Sequence, residues 1–358
     1  MQLQRLTIKN FRCFESLELN FGNAIIFIEG LNGSGKTSII EALHYLCYLR
    51  SFRTSSSSDL LQFDTQTFFV KAEIKNNDII DEYHSIQVGF KGKKKIVRVN
   101  QKAVNSYKDL MHFYRVITVT EDDLELIKGS PEARRNFIDH VIILYSPDFA
   151  QSVRRLKHIV EQRNAIIMQG KKDATEFAIW TQQLWQVSQH IKQLRKETLV
   201  QLEQEIGVLT QAYFPDIAIQ FHYTSKSNQD AYEQFFTENS SLFAQEERLG
   251  RSLFGAHLDD FSVTFQQKKS KIYASRGQQK LVIMLVKIAQ MKWLCQRKGP
   301  AIFLLDDFMT DFDRQKGIQL LKPLLDMSNQ IIITAPGTNQ WLAQELHSYG
   351  CTYINLTE

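Results

Sequence analysis

The first thirty residues of the chain alternate polar and apolar side chains with the period of two that is typical of β-strands. Leu17, Leu19 and Phe21 show this alternation, and the apolar run over residues 24–28 predicts a buried strand. Beyond a glycine-rich turn, residues 38–49 space their apolar side chains three and four positions apart, which predicts a helix. The chain therefore begins as strand, turn and helix.

Shorter apolar stretches at residues 68–70, 86–88, 96–99 and 116–119 predict further strands, with a hairpin turn at residues 89–95. Thr120 and Asp123 have the spacing of a capping box, which predicts that a helix begins there. Residues 149–213 contain no proline and keep helical spacing, which indicates two helices broken near residues 170–173. This pair fits a protruding arm and an ordinary bundle equally well.

The C-terminal third returns to alternating helices and strands. A helix from Gly277 precedes the apolar strand at residues 302–305, and a second strand is predicted at residues 331–334, followed by a last helix. Helices and strands that alternate at both chain ends predict an α/β sheet assembled from the two termini. We expect one domain from residues 1–120 and 265–358, and an inserted, mostly helical domain at 121–264 with its helical arm at about 149–213.

Composition excludes several classes of protein. The chain has 358 residues, of which 43% are hydrophobic and 23% charged, so wholesale disorder is excluded. No apolar run approaches the roughly 18 residues of a membrane helix, and no signal-peptide pattern is present, so we expect a cytoplasmic protein without a membrane partner. The cysteines show no C-x-x-C spacing, which argues against a zinc or disulfide scaffold. The net charge of +4 is too small to indicate nucleic-acid binding.

The glycine-rich turn fits the pattern G-x-x-x-x-G-K-[ST] and lies between a buried strand and a helix, as a phosphate-binding loop requires. Backbone N–H groups would surround the phosphates, Lys36 would supply charge to the β and γ oxygens, and Thr37 would offer its hydroxyl to Mg²⁺. The sequence therefore predicts ATP and Mg²⁺ as cofactors. The predicted nucleotide-binding residues of this loop are Gly30, Leu31, Asn32, Gly33, Ser34, Gly35, Lys36 and Thr37.

A second motif ends the apolar strand at residues 302–305 with two carboxylates. Asp306 is positioned to hold Mg²⁺, and Asp307 to polarise an attacking water molecule. Lys36 and Asp306 lie 270 residues apart in the sequence, yet both must reach the same cation. The middle of the chain is therefore predicted to be an insertion into the ATPase sheet.

A third, weaker motif precedes the second at the start of a predicted helix. Ser275, Gly277 and Gln278 place a hydroxyl, a glycine and a helix N-terminus together, which makes an anion-binding site. A serine that merely caps the helix explains the same residues equally well, so both interpretations stay open.

The order of these motifs resembles the SMC/Rad50/RecF branch of the ABC-type ATPases. Over essentially the full length, the chain is most similar to the RecF family of bacterial recombination mediators. The insertion is too short for the long coiled coil of the SMC proteins. The resemblance implies a Rad50-like ABC-type P-loop ATPase head (lobe I) with a smaller helical lobe II. The segments that carry it are residues 8–12, 49–53, 129–135, 162–164 and 255–260.

The resemblance also implies roles for individual residues. Ser275, Gly277 and Gln278 would contact the γ-phosphate of ATP bound to a second subunit, so ATP would hold a homodimer together. Asp307 stands where most ABC ATPases have glutamate, which is compatible with slow turnover. The matching D-loop residues are Asp311 and Asp313.

The resemblance also bears on four further positions. Thr334 is the candidate γ-phosphate sensor, because transporters have a histidine there. Arg12 would contact the nucleotide, although a surface arginine fits nearly as well. The Q-loop residue is either Gln62 or Gln66. Leu258 stands where the family often has an arginine.

The family role implies a weak, DNA-stimulated ATPase of DNA repair that binds double-stranded and gapped DNA in the nucleoid. It would work with RecR and RecO to place RecA on single strands coated by SSB. The alternatives are the ATPase subunit of a membrane transporter and a small-molecule phosphotransferase. Two basic groups are candidate phosphate contacts, or else solvated surface: Lys91, Lys93, Lys94, Lys95, Arg98 and Lys102, and Lys268, Lys269, Lys271, Arg276 and Lys280.

Overall fold

The polypeptide folds into two compact units. The computed structural model describes residues 1–76, 82–92, 94–104, 110–111, 113–170, 174–226, 229, 231–337 and 340–356. The first unit comprises Met1–Asp123, Gln211–Pro215 and Ser275–Glu358, and the second comprises Leu124–Thr210 and Asp216–Ala274. The boundary predicted at residue 264 falls inside a strand that ends at Phe265, because hydrogen bonding continues past it. The helix break is predicted near residues 170–173, and apart from Gly170 these residues lie outside the described part of the chain.

The strands are numbered in chain order over the described residues. They are β1 (Gln2–Phe11), β2 (Phe14–Asn20), β3 (Ile25–Gly30), β4 (Thr67–Asn76), β5 (Glu82–Lys91), β6 (Lys94–Val99), β7 (Lys102–Ala103), β8 (Val116–Val119), β9 (Ile219–Thr224), β10 (Asp260–Phe265), β11 (Lys268–Lys269), β12 (Ile302–Asp306), β13 (Ile331–Pro336) and β14 (Thr352–Asn355).

The α-helices of the described residues are numbered in the same way. They are α1 (Lys36–Tyr48), α2 (Glu125–Lys128), α3 (Pro131–Tyr145), α4 (Phe149–Met168), α5 (Ala174–Tyr213), α6 (Tyr232–Glu238), α7 (Ser240–Leu249), α8 (Ser270–Tyr273), α9 (Arg276–Lys298), α10 (Arg314–Leu325) and α11 (Gln340–His347). Short 3₁₀ helices cover Ser57–Leu60, Glu121–Leu124 and Phe308–Asp311.

The first unit contains a parallel sheet in the order β14-β3-β13-β12-β8. Strands β3 and β12 are almost entirely buried, as expected of a parallel sheet covered on both faces. The β3 strand lies beside β13 although some 300 residues separate them, so both chain ends build this sheet. Gln330, which precedes β13, also joins the two chain ends, since its side chain accepts from the N–H of Leu3 in β1 and donates to the C=O of Leu3. The α/β fold predicted from the alternating ends is confirmed.

A second sheet of the same unit is antiparallel, in the order β2-β1-β4-β5-β6-β7. One face is part of the core, where Phe68 packs edge-on against Phe11 and stacks on Phe90. The opposite face carries the alternate, more polar positions, because successive side chains of a strand point to opposite sides. The hairpin predicted at residues 89–95 is present as the β5–β6 connection.

The second unit is mostly helical and includes the three-stranded sheet β11-β10-β9. Arg163 of α4 is fully buried and forms a two-point ion pair with Glu246 of α7, at 2.9 and 2.6 Å. Its guanidinium also lies over the rings of Phe177 and Phe254. A buried charge of this kind persists only where its hydrogen bonds are satisfied, so the pair fixes how these helices pack.

Candidate nucleotide-binding site

The glycine-rich loop connects β3 to α1, and its backbone needs glycine at two positions. Gly33 and Gly35 have φ angles of +87° and +98°, in the left-handed region that side chains disfavour. A Cβ on Gly35 would also lie 2.4 Å from the ring of Phe14. The loop delivers the chain to the first turn of α1, where N–H groups have no partner within the helix. This arrangement supplies donors for a phosphate group.

Lys36 begins α1 and its side chain folds back over the loop. It is 4% exposed, and its ammonium group donates to the carbonyl oxygens of Gly30 and Leu31, each at 3.0 Å. The charge is therefore held at the mouth of the loop by backbone acceptors. A phosphate oxygen arriving there would meet an ammonium group already positioned to bind it.

Thr37 and the two carboxylates meet through the pairing of β12 with β13. The Thr37 hydroxyl lies 3.1 Å from Asp306 Oδ1, and the Thr334 hydroxyl lies 3.0 Å from the same oxygen. Thr334 is the direct parallel partner of Asp306 in the sheet, which explains this contact. Its hydroxyl also accepts from the N–H of Asp307, at 2.9 Å. The loop and the carboxylate pair, 270 residues apart in sequence, thus form one site.

Burial raises the pKa of Asp306 to about 6, and the neighbouring Asp307 carboxylate adds to the rise. Hydrogen bonds from Thr334 and Thr37 oppose the rise in pKa without cancelling it. The neighbouring carboxylates of Asp306 and Asp307 and the hydroxyl of Thr37 are oxygen ligands that suit a hard cation such as Mg²⁺. The residues present therefore fit the predicted cofactor.

Arg12 lies beside α1 and is held by a carboxylate that sequence reasoning did not single out. Its guanidinium donates to both oxygens of Glu41, at 2.8 and 2.7 Å, and to the carbonyl of Asp59 at 2.7 Å. Glu41 is fully buried and also lies 3.6 Å from Arg53. The signal for Glu41 in the sequence was a charged residue on the apolar face of the predicted helix. Whether Arg12 contacts nucleotide stays a prediction.

Ser275 is the N-cap of α9 and forms a complete capping box. Its hydroxyl accepts from the N–H of Gln278 at 3.3 Å, and the Gln278 side chain accepts from Ser275 N–H at 2.8 Å. Ser275, Gly277 and Gln278 are all exposed. These hydrogen bonds stay within the motif and do not include the nucleotide loop. The capping interpretation accounts for the local geometry, and a role toward ATP of a second subunit stays a prediction.

Lys280 does not belong to the predicted DNA contacts. It has no exposed surface, and its ammonium group pairs with Glu121 and lies 2.6 Å from Asp311 Oδ2. The ring of Phe308 lies 4.8 Å away. A fully buried side chain cannot reach a DNA phosphate, so that assignment is wrong for Lys280. Instead, the residue joins α9 to Asp311 of the predicted D-loop.

The second predicted D-loop residue, Asp313, caps α10. Its carboxylate accepts from the N–H of Lys316 at 2.9 Å. This hydrogen bond holds the pKa of Asp313 below its usual value. Sequence reasoning assigned Asp313 only to the D-loop and missed its capping role. The available signal was an aspartate directly before a helical run.

The first basic run divides into exposed and bound side chains. Lys93 lies outside the described residues. Lys94 is exposed, whereas the Lys95 ammonium donates to the carbonyl of Leu49 at 2.7 Å and lies over the ring of Tyr45. Partial burial lowers the pKa of Lys95. Lys95 thus completes the C-terminal end of α1. Lys94 has no ion-pair partner among the described residues.

Within the described part of the chain, every helix is too short or too polar to cross a lipid bilayer.

Comparison with known proteins gives a consistent result. The family model described as RecF/RecN/SMC N terminal domain matches residues 2–352. The DNA replication and repair protein RecF of Mannheimia succiniciproducens is 30% identical over 347 residues, covering 95% of this chain and 94% of that protein. RecF of Leptospira interrogans is 29% identical over 318 residues, covering 87% of this chain and 86% of that protein.

Solved structures show the same relationship at the level of the fold. A structure of the recombination mediator protein RecF with ATP, from the RecFOR pathway, matches with a TM-score of 0.82 at 23% identity, over 94% of this chain and 92% of that one. An Smc head bound to the C-winged helix domain of ScpA matches with a TM-score of 0.55 at 15% identity, over 93% and 89%. The Rad50-like ABC ATPase fold is therefore confirmed, and the chain belongs to the RecF family of the RecF/RecN/SMC proteins.

Proposed function

We propose that this protein is an ATP- and Mg²⁺-dependent DNA-binding protein of replication and recombinational repair. The observation that carries the proposal is the meeting of Lys36 and Thr37 with Asp306, Asp307 and Thr334 at one site. Family membership supports the role, since the relatives are named DNA replication and repair proteins.

In the proposed reaction, Lys36 exchanges its contacts with the loop carbonyls for the β and γ oxygens of ATP. Thr37 and Asp306 would hold Mg²⁺, which neutralises phosphate charge when bound. Asp307 orients a water molecule and takes up its proton, while Thr334 holds both carboxylates in place. The short side chain of Asp307 is consistent with slow hydrolysis.

We further propose that ATP joins two copies of the chain. Ser275, Gly277 and Gln278 lie exposed at the N-terminus of α9, where the helix dipole favours an anion. The γ-phosphate held by one subunit would dock there on the other. Hydrolysis removes this shared ligand, so the dimer would release double-stranded or gapped DNA after each turnover.

The relatives support the proposed pathway. The solved RecF structures come from the RecFOR pathway. By extension, this protein would act with RecR and RecO in placing RecA on SSB-coated single strands, in the cytoplasm at the nucleoid.

The proposed function is tested with Lys36→Ala. Removing the ammonium group should abolish ATP binding, ATP-driven dimerisation and DNA retention together, while the monomer stays folded. Mass by light scattering and DNA release after adding competitor are measured with and without ATP. Lys322→Ala, an exposed position on α10, is the matched control and should behave as the parent. A Lys36→Ala protein that still dimerises with ATP would contradict the proposal.

A further inference from the structure

The outward face of the antiparallel sheet carries an apolar notch at Gly89. The strand registers place Lys9, Phe69, Gly89 and Ile96 side by side across β1, β4, β5 and β6. Because Gly89 has no side chain, a gap remains between Phe69 and Ile96, whose backbones are about 10 Å apart, two strand spacings. A groove of about 290 Å³ is lined by these residues. Ile96 is 54% exposed, so the notch has an apolar wall open to solvent.

The fold itself does not require a glycine at this position. A Cβ added to Gly89 would meet no atom within 4 Å, and Gly89 is not among the residues with a positive φ. Glycine weakens a strand interior relative to other residues, because it loses more conformational freedom on folding. Glycine inside a strand often marks a place where a ligand approaches the backbone closely.

The notch lies among cations that have no carboxylate partner in the described part of the chain. Other basic side chains of this face are already neutralised: Lys71 pairs with Glu73 at 2.7 Å, and Arg5 lies 3.5 Å from Glu18. Among the described residues, the four exposed cations of this face without such a partner are Lys9, Lys91, Lys94 and Arg98. An apolar slot surrounded by unpaired positive charge suits a polyanion with flat apolar groups.

We propose that this notch receives one unpaired base of a DNA strand, with the four cations holding the adjoining phosphates. The inference deepens the proposed DNA-binding function and rests on it. Single-stranded nucleic acid is bound in this manner elsewhere, by a basic groove with an apolar or aromatic stacking surface. Bases inside a duplex are paired and stacked and cannot enter the slot. A second copy of this chain docking by the same face is disfavoured, because it would bring the same four cations against these.

The notch is tested by filling it with Gly89→Leu in the full-length protein with ATP. Loss of one stacked base should weaken binding of a fluorescent single strand and of gapped DNA about tenfold, while blunt duplex DNA changes less than about twofold. Ser85→Leu adds the same side chain on the same strand and face, four residues away, and should change neither affinity. Equal weakening of duplex and gapped DNA by Gly89→Leu would overturn the proposal.

A charge variant tests the surrounding cations. Lys94→Ala should flatten the salt dependence of single-strand binding by about 0.7, the loss of one phosphate contact. Lys95→Ala should leave this slope unchanged, since that ammonium is already bound to Leu49. Identical slopes for the parent and Lys94→Ala would contradict the proposed phosphate contact.

The two proposals fail in different ways. A parent protein that binds neither duplex nor single-stranded DNA with ATP would overturn the proposed function and the notch together. A parent that binds both, with a Gly89→Leu variant that binds both equally well, would overturn the notch alone.

Discussion

At the residue scale, the sequence motifs locate the site and the structure supplies the contacts that tune it. The spacing of glycines, lysine and threonine identifies Lys36 and Thr37 because phosphate chemistry requires that order. Glu41 and Lys280 could not be found in this way, since each depends on partners that only the fold brings near. The sequence shows Glu41 as a charge among the apolar positions of α1, but it does not identify the arginines that neutralise it.

The backbone at Asp307 makes Asp307→Asn a clean test of catalysis. Asp307 has a φ of +50°, a left-handed conformation that asparagine tolerates about as well as aspartate. The variant keeps the side-chain shape but loses the negative charge that takes up the proton of the water. ATP binding and the ATP-bound dimer should persist, while hydrolysis falls by about 10²-fold or more. Phosphate release and light scattering check this, and undiminished hydrolysis would exclude Asp307 as the base.

The raised pKa of Asp306 predicts a pH-dependent stability in the absence of nucleotide. Because the folded state holds this proton up to a pH of about 6, above the usual value of 3.8, raising the pH through this interval lowers the free energy of unfolding. Above pH 6 the free energy of unfolding is lower by the full amount, on the order of 1–3 kcal/mol. Asp306→Asn should therefore raise the melting temperature at pH 7.5 and have little effect at pH 4.

The control for that experiment is Asp64→Asn, an exposed position whose φ of +61° also suits asparagine. It should leave the melting temperature unchanged at both values of pH. An Asp306→Asn stabilisation of the same size at pH 4 and pH 7.5 would show that the effect does not arise from the charge.

At the scale of the secondary-structure elements, the hydrophobic pattern predicted where β3, α1, β12 and β13 lie, because the strands are short continuous apolar runs and the helix spaces its apolar residues three and four positions apart. It could not predict how the helices of the second unit pack. Their contacts depend on Arg163, which lies on the buried side of α4. Hydrophobic spacing alone does not assign an arginine to a buried position. The charge is tolerated because Glu246 and two aromatic rings surround it.

Removing this arginine should destabilise the second unit strongly. Arg163→Met leaves Glu246 buried without its cation, and the expected cost is about 3–5 kcal/mol. Hydrogen exchange of α4 and α5 measures it. Lys157→Met changes an exposed residue of the same helix, whose pair with Glu161 spans 4.0 Å, and should cost less than about 0.5 kcal/mol. Combining Arg163→Met with Glu246→Leu should recover much of the loss, and no recovery would show that the buried charge is not the cause.

At the scale of the whole molecule, the 270-residue separation of Lys36 and Asp306 correctly predicted a sheet built from both termini. The shared ATP site of the proposed dimer consists of residues from two subunits, so the pattern of a single chain does not predict it. Ser275 faces solvent in the monomer, so its role toward a second subunit must be measured.

Ser275→Arg provides that measurement. The substitution leaves the nucleotide loop of each subunit intact but places bulk where the γ-phosphate of the other subunit should dock. The variant should bind ATP as a monomer and fail to hold DNA. Ser275→Asn is the control for the lost helix cap, because asparagine caps helices as well as serine does. A Ser275→Arg protein that reaches dimer mass with ATP would disprove the shared site.

The pairing of β3 with β13 also determines when this protein can fold during its own synthesis. The strand β3 precedes the nucleotide loop, but its sheet neighbours β13 and β14 follow some 300 residues later. At a synthesis rate of roughly 5–20 residues per second, the apolar strand β3 waits on the order of tens of seconds for its partners. The ATPase head therefore completes its core only after β13 has been synthesised, and a chain truncated before β13 exposes β3 to aggregation and proteolysis.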